Sequence, residues 1–192
     1  MGRNVPLKLF GPPALEKMAD HVLTAYEDDI NYRINGSQPS NPEGYKIIFL
    51  ENKEGVIFRD LNVTVRAFRV NHGNLKDSYG YSFITRDKKI VFSGDTTLSE
   101  VLIKESDSAD ILVHEVYSEE GFKQKTKDWQ IYHKAHHTSS VEVGLIANRV
   151  KPQKLVLSHV LFWGADKESI LKDVSLNFKG ETILAEDQMV IR

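Results

Sequence analysis

The stretch Val91-Phe92-Ser93-Gly94-Asp95-Thr96-Thr97 decides how this chain is read. An apolar run ending in Ser-Gly-Asp-Thr reads as a buried strand that leaves through a tight loop, with one carboxylate, Asp95, on that loop. Gly94 lets the backbone approach closely there. Three histidine-bearing segments follow: His114-Glu115-Val116-Tyr117, His136-His137-Thr138-Ser139-Ser140 and Leu155-Val156-Leu157-Ser158-His159. The first and last are again apolar runs that close on a histidine. A carboxylate oxygen with several imidazoles is the donor set of hydrolytic zinc, manganese or iron sites. On these residues alone, Asp95 could also be a turn residue or the cap of a helix beginning near Thr97.

Composition narrows the classes. At 192 residues the chain fits one domain with a sizeable core. A formal charge of −2 argues against a generic binder of nucleic acid or anionic membrane, without excluding an enzyme that touches RNA locally. With no cysteine, neither disulfides nor thiolate ligands are available. The apolar runs are short and strand-like, so the expectation is no membrane span, no signal peptide and a cytoplasmic setting.

Periodicity supplies the elements. Pro12 and Pro13 suit a helix start. Leu15, Met18, Ala19, Val22, Leu23, Tyr26 and Ile30 predict one amphipathic helix over about 13–33, with Met18 and Met189 in the core. Strands are predicted near 45–51, 56–59 and 63–70, a hairpin over 79–93, strands near 111–115, 155–158 and 182–185, and helices near 97–106, 139–150 and 166–176. Lys123, Lys125 and Lys127 read as a solvated loop. Tyr79, Tyr81, Phe162 and Trp163 are candidates for a substrate entrance or for core.

In this order the segments resemble the second half of the metallo-β-lactamase superfamily, in its ribonuclease Z-like branch. The likeness runs from about residue 5 to the end. Val70-Asn71-His72-Gly73, shortly before Tyr79-Gly80-Tyr81, is similar to that family's third motif. His114-Glu115-Val116-Tyr117 is similar to its His-Glu-Ala-Thr box, departing at Val116 and Tyr117. His137-Thr138-Ser139 is similar to its His-Ser-Thr box with the hydroxyls exchanged. The family's His-x-His-x-Asp-His loop has no counterpart among the seven histidines; His133-x-x-His136-His137 has the wrong spacing and no Asp.

The resemblance implies an α/β fold, specifically the C-terminal portion of an αββα sandwich. It implies a single domain over 1–192 that begins mid-domain and leaves an apolar sheet face uncovered. It further implies metal ligation by His72, Asp95 and His159, with Asp95 bridging two ions, and proton handling by Glu115 and His137; His114 is structural. The implied cofactor is a divalent metal, zinc first, with manganese or iron as alternatives. The implied activity is cleavage of phosphodiester or related ester bonds by a metal-activated hydroxide, on an RNA or small-molecule phosphodiester substrate. Because ligand positions are missing, weak metal binding and negligible hydrolysis by this chain alone are expected. The alternatives are a non-catalytic remnant, one part of a split assembly, or a small-molecule ester or lactone hydrolase. A homodimer is left open.

Overall fold

The computed structural model describes residues 2–191, which sort into two compact units, one ending at Lys53 and the other beginning at Glu54. In the first unit β1 (Leu7–Gly11) pairs in parallel with β2 (Ile47–Glu51). Parallel strands need a long crossover. Here it holds α1 (Ala14–Ala25), α2 (Glu27–Asn35) and a 3₁₀ turn (Pro42–Tyr45) whose cap Asn41 accepts from the Gly44 N–H at 3.2 Å.

The single helix predicted over 13–33 is therefore two. Tyr26, at φ −103° and ψ 13°, breaks it. The three acidic residues Glu27, Asp28 and Asp29 then sit in the first turn of α2, where the helix dipole favours them. The expected core stripe is also corrected: within α1 only Ala19 is buried, whereas Met18 is 58% exposed, and Met189 is likewise exposed.

The second unit is one seven-stranded mixed sheet whose strand order follows the chain: β3 (Gly55–Arg59), β4 (Thr64–Arg69), β5 (Tyr79–Ile84), β6 (Lys89–Phe92), β7 (Ile111–Tyr117), β8 (Lys154–Leu161) and β9 (Glu181–Leu184). Pairing is antiparallel from β3 to β6 and parallel from β6 to β9. Two reversals separate β4 from β6, so β4, β6, β7 and β8 all run the same way. Their C-terminal ends share one rim, the edge at which open α/β sheets place ligands.

Helices α3 (Glu100–Glu105), α6 (Ser140–Val150) and α7 (Lys167–Ser175) contribute Leu102, Val143, Ile146, Ile170 and Val174 to a core shared with Val91, Leu112, Val116, Leu155 and Leu157. Strand alternation puts His114 on the same face as Leu112 and Val116. It is wholly buried, and its Nδ1 donates to the Glu115 carbonyl at 2.6 Å. Burial pushes its pKa below the usual imidazole value. The opposite face carries Phe83, Phe92 and Val113, which line an open cavity, and Phe92 is 40% exposed. Among the described residues no helix is long and apolar enough to cross a membrane.

Two further helices, α4 (Glu119–Lys123) and α5 (Lys127–His136), flank the lysine-bearing loop read at 123–127: Lys123 ends the first, Lys127 opens the second, and Lys125 lies between them. Their polar surface and aromatic stripe lack the aliphatic period that marks a helix in sequence.

Candidate metal centre

The site is built from loops at the shared rim. His72 lies three residues past β4 and Asp95 three residues past β6, while Glu115 is near the end of β7. Gly94 has φ +63°, and a Cβ there would stand 2.5 Å from the Tyr79 carbonyl oxygen, so the turn that presents Asp95 requires glycine. The loops are latched together. The Thr97 N–H donates to the Asn71 carbonyl at 2.8 Å, and the Thr138 hydroxyl donates to the Thr96 carbonyl at 2.5 Å.

Glu115 is the hub of this latch. It is 2% exposed, and its Oε1 accepts from the N–H groups of Thr96 at 3.2 Å and Thr138 at 3.0 Å. One carboxylate oxygen thus holds the residue after Asp95 and the residue after His137. The same oxygen lies 3.3 Å from His137 Nδ1, within ion-pair range but off the line of a hydrogen bond. His137 ends α5, and two residues later Ser139 opens α6 through a capping box with Glu142. Pinned between two helix ends, the imidazole is 8% exposed.

His72 shows the polarity expected of a ligand. Its Nδ1 faces the His136 carbonyl at 2.8 Å. A carbonyl can only accept, so Nδ1 donates here and Nε2 is the ring nitrogen left to face a ligand. Gly73 beside it has φ +54°, and a Cβ there would fall on the His136 ring.

His159 is aimed by a backbone irregularity. Glu115 pairs with Ser158 and Val116 with Val160, which leaves His159 as the extra residue of a bulge, at φ +45°. Bulges re-aim side chains near functional sites, and a non-glycine residue in the left-handed region costs about 1–2 kcal/mol. His159 Nδ1 lies 3.5 Å from Asp95 Oδ1. His159→Gly should therefore keep the fold's stability within about 1 kcal/mol of the parent, or raise it, while removing a donor. Urea unfolding checks this, and a larger destabilisation would remove strain as the explanation.

The donor atoms of His72, Asp95 and His137 lie within 4.8 Å of one another, and so do those of Glu115, His137 and His159. His137, not His159, completes the group around His72 and Asp95. Glu115 Oε2 and His137 Nδ1 are buried without a hydrogen-bond partner among the described residues. Buried polar atoms normally have partners. Orphaned nitrogen and oxygen donors converging on one rim fit a divalent cation. A cavity of about 400 Å³ opens beside them, lined by Tyr79, Tyr81, Phe83, Phe92, Asp95 and His159 among others.

Of the four aromatics proposed for an entrance, Tyr79 and Tyr81 line this cavity. Phe162 and Trp163 do not; Trp163 packs 5.6 Å from Tyr117 and 4.3 Å from His133. The residues that sequence reasoning left unused are His136, in ring contact with His72 at 5.0 Å, and His133. Burial, with His137 and Lys125 nearby, holds His133 below the usual imidazole pKa. Counting histidine and tyrosine as members of an amphipathic stripe could have found them.

A mixed sheet with histidines and carboxylates gathered at its parallel-strand ends defines an α/β fold with a candidate metal site. Residues 16–160 match the profile of the beta-lactamase superfamily domain, and the chain belongs to that family. Within the metallo-β-lactamase superfamily it is ribonuclease Z-like. It is 28% identical over 159 residues to a putative ribonuclease Z of Mycobacterium tuberculosis (strain CDC 1551 / Oshkosh), covering 80% of this chain and 68% of that one. It is 30% identical over 105 residues to a ribonuclease Z of Archaeoglobus fulgidus, covering 54% and 32%. In fold it is similar to the metallo-beta-lactamase fold protein YhfI of Bacillus subtilis, with a TM-score of 0.70, 17% identity and coverage of 97% and 65%. The chain spans between 32% and 68% of the length of these curated relatives.

Proposed function

We propose that the chain forms the acid and part of the metal-binding half of a ribonuclease Z-like hydrolase acting on phosphodiester bonds, with His72, Asp95 and His159 as metal ligands and Glu115 and His137 as the proton-handling pair. The observation that carries this is the convergence of all five side chains on one rim, with His72 Nε2 left free by its Nδ1 bond to a carbonyl. The names of its relatives support the same reading and point to RNA. A divalent ion, zinc first, would supply an activated water and charge stabilisation when bound.

The chain's own residues do the rest. Asp95 offers two oxygens on a loop that Gly94 allows to turn tightly. Glu115 Oε1, 3.3 Å from Nδ1, holds His137 beside the rim, where its imidazole stands ready to pass a proton to a leaving oxygen. Tyr79, Tyr81 and Phe92 give the cavity beside the rim an apolar, aromatic wall against which an organic group of the ester can pack.

A second reading, a non-catalytic piece or one part of a split assembly, is favoured by the ligand count: each group of donors that comes together holds three side chains, and the sequence has no His-x-His-x-Asp-His motif. Turnover of a chromogenic phosphodiester with zinc or manganese separates the two. Negligible turnover by the chain alone, and chelator-sensitive turnover once a segment bearing that motif is supplied, fused or in trans, is the expected result. Metal-independent turnover, or none in any combination, would sink the hydrolase reading. Robust turnover by the chain alone would show the ligand count misread.

A further inference from the structure

Helix α5 carries four rings on one face. Trp129, Tyr132, His133 and His136 stand at i, i+3, i+4 and i+7, the spacing that normally turns aliphatic residues toward a core. Yet α5 has no buried residue, and Trp129 and Tyr132 are 55% and 45% exposed. The rings are ordered against one another. Trp129 stacks on His133 with centroids 5.4 Å apart and planes 22° apart, and Tyr132 stacks on His136 at 4.1 Å and 23°. Trp163 adds a fifth ring, 4.3 Å from His133, and Lys125 places its ammonium 4.9 Å above the Trp163 ring.

The stripe does not end in solvent at both ends. His136 lies 5.0 Å from His72, and His133 lies 5.8 Å from His137. A continuous path of ring contacts therefore runs from the exposed Trp129 and Tyr132 to the rim that gathers the ligand candidates. Exposed aromatic surface of this kind marks a binding site more often than a neutral surface, and flat rings beside an ammonium match a flat ring beside a phosphate.

We propose that this stripe is a stacking platform for a nucleobase of a single-stranded substrate, with Lys125 pairing a phosphate of its backbone. The phosphodiester following the stacked base would then reach the rim. The assignment rests on the proposed hydrolase reading for where cleavage would occur, but binding to the platform does not depend on turnover. Stacking is tolerant of base identity, because every base presents a π-face, so the platform sets the class of substrate and not its sequence.

The chain's two tryptophans, Trp129 and Trp163, both belong to this cluster, so intrinsic fluorescence reports on it alone. Adenylyl-adenosine is the probe, dimethyl phosphate the ring-free control, and the full chain is used in EDTA so that no metal contributes. Saturable quenching by the dinucleotide and none by dimethyl phosphate is expected. By equilibrium dialysis, Trp129→Leu should bind the dinucleotide about tenfold more weakly or worse, while Trp129→Phe keeps most of the affinity. Equal binding by Trp129→Leu, or matching quenching by dimethyl phosphate, would overturn the platform. So would a concentration-dependent dimer in sedimentation that shields Trp129, since a second copy would then occupy the stripe. Trp129-dependent binding in EDTA without turnover under any metal condition leaves the platform standing and removes the hydrolase reading. Turnover with no Trp129 dependence of binding does the reverse.

Discussion

Asp95→Ala is expected to weaken binding of a zinc or manganese ion by more than about 100-fold, beyond the ~10–100-fold typical of losing a supporting outer partner. Asp95 is the one carboxylate in the group formed with His72 and His137, and it also reaches His159 at 3.5 Å. Its removal takes both carboxylate oxygens from the centre of the rim, leaving imidazole nitrogens that by themselves hold a divalent ion less tightly. The backbone around it is fixed by Gly94 and by the Thr97 to Asn71 hydrogen bond, neither of which uses the carboxylate, so the fold should survive. Equilibrium dialysis with the metal, alongside an unchanged unfolding midpoint, checks both halves. Metal affinity within a few-fold of the parent would show that Asp95 is a turn residue, the plainer alternative its sequence context also allows.

Glu115→Ala is expected to cost about 3–5 kcal/mol of folding stability, because it strips the shared acceptor from two buried N–H groups, those of Thr96 and Thr138, at once. Domains of ordinary stability have roughly 5–15 kcal/mol in all, so this variant should be close to unfolding. Glu115→Gln keeps one oxygen for the Thr96 and Thr138 N–H groups and should cost well under half as much. The Gln variant then isolates chemistry from folding: it removes the negative charge 3.3 Å from His137 Nδ1, so any restored hydrolysis should fall while the fold stands. Denaturant unfolding of both variants decides the matter. If the Ala variant were as stable as the parent, the latch would not be what holds the two loops in place.

Much of the second unit was legible in the sequence. Strands β4 to β9 and helices α3, α6 and α7 follow from short apolar runs alternating with helical periods, because those segments bury one face and the burial imposes the period. The first unit was less legible. The helical period of Leu15, Met18, Val22 and Tyr26 is present, but Met18, Val22 and Tyr26 are largely exposed, and the backbone leaves the helical region at Tyr26 where the period alone would continue it. Helix α5 was missed for the opposite reason: its stripe is made of rings that are polar or amphipathic, and nothing aliphatic announces it.

What the sequence by itself determined is the chemistry available: which residues can donate to a metal, that His72, Asp95 and His159 follow apolar runs, and that no thiolate can take part. Strand ends that share a direction must share a rim, so the convergence of His72, Asp95, Glu115 and His159 followed from the topology those runs imply. Tertiary structure alone decided how the donors group. That Glu115 is a buried latch for two loops, that His137 and not His159 stands with His72 and Asp95, and that His159 is turned by a bulge at φ +45° all depend on register and on hydrogen bonds between residues 19 to 43 positions apart. Such contacts are set by how strands align across the sheet, and a one-residue slip that redirects a side chain leaves the local pattern of the sequence almost unchanged.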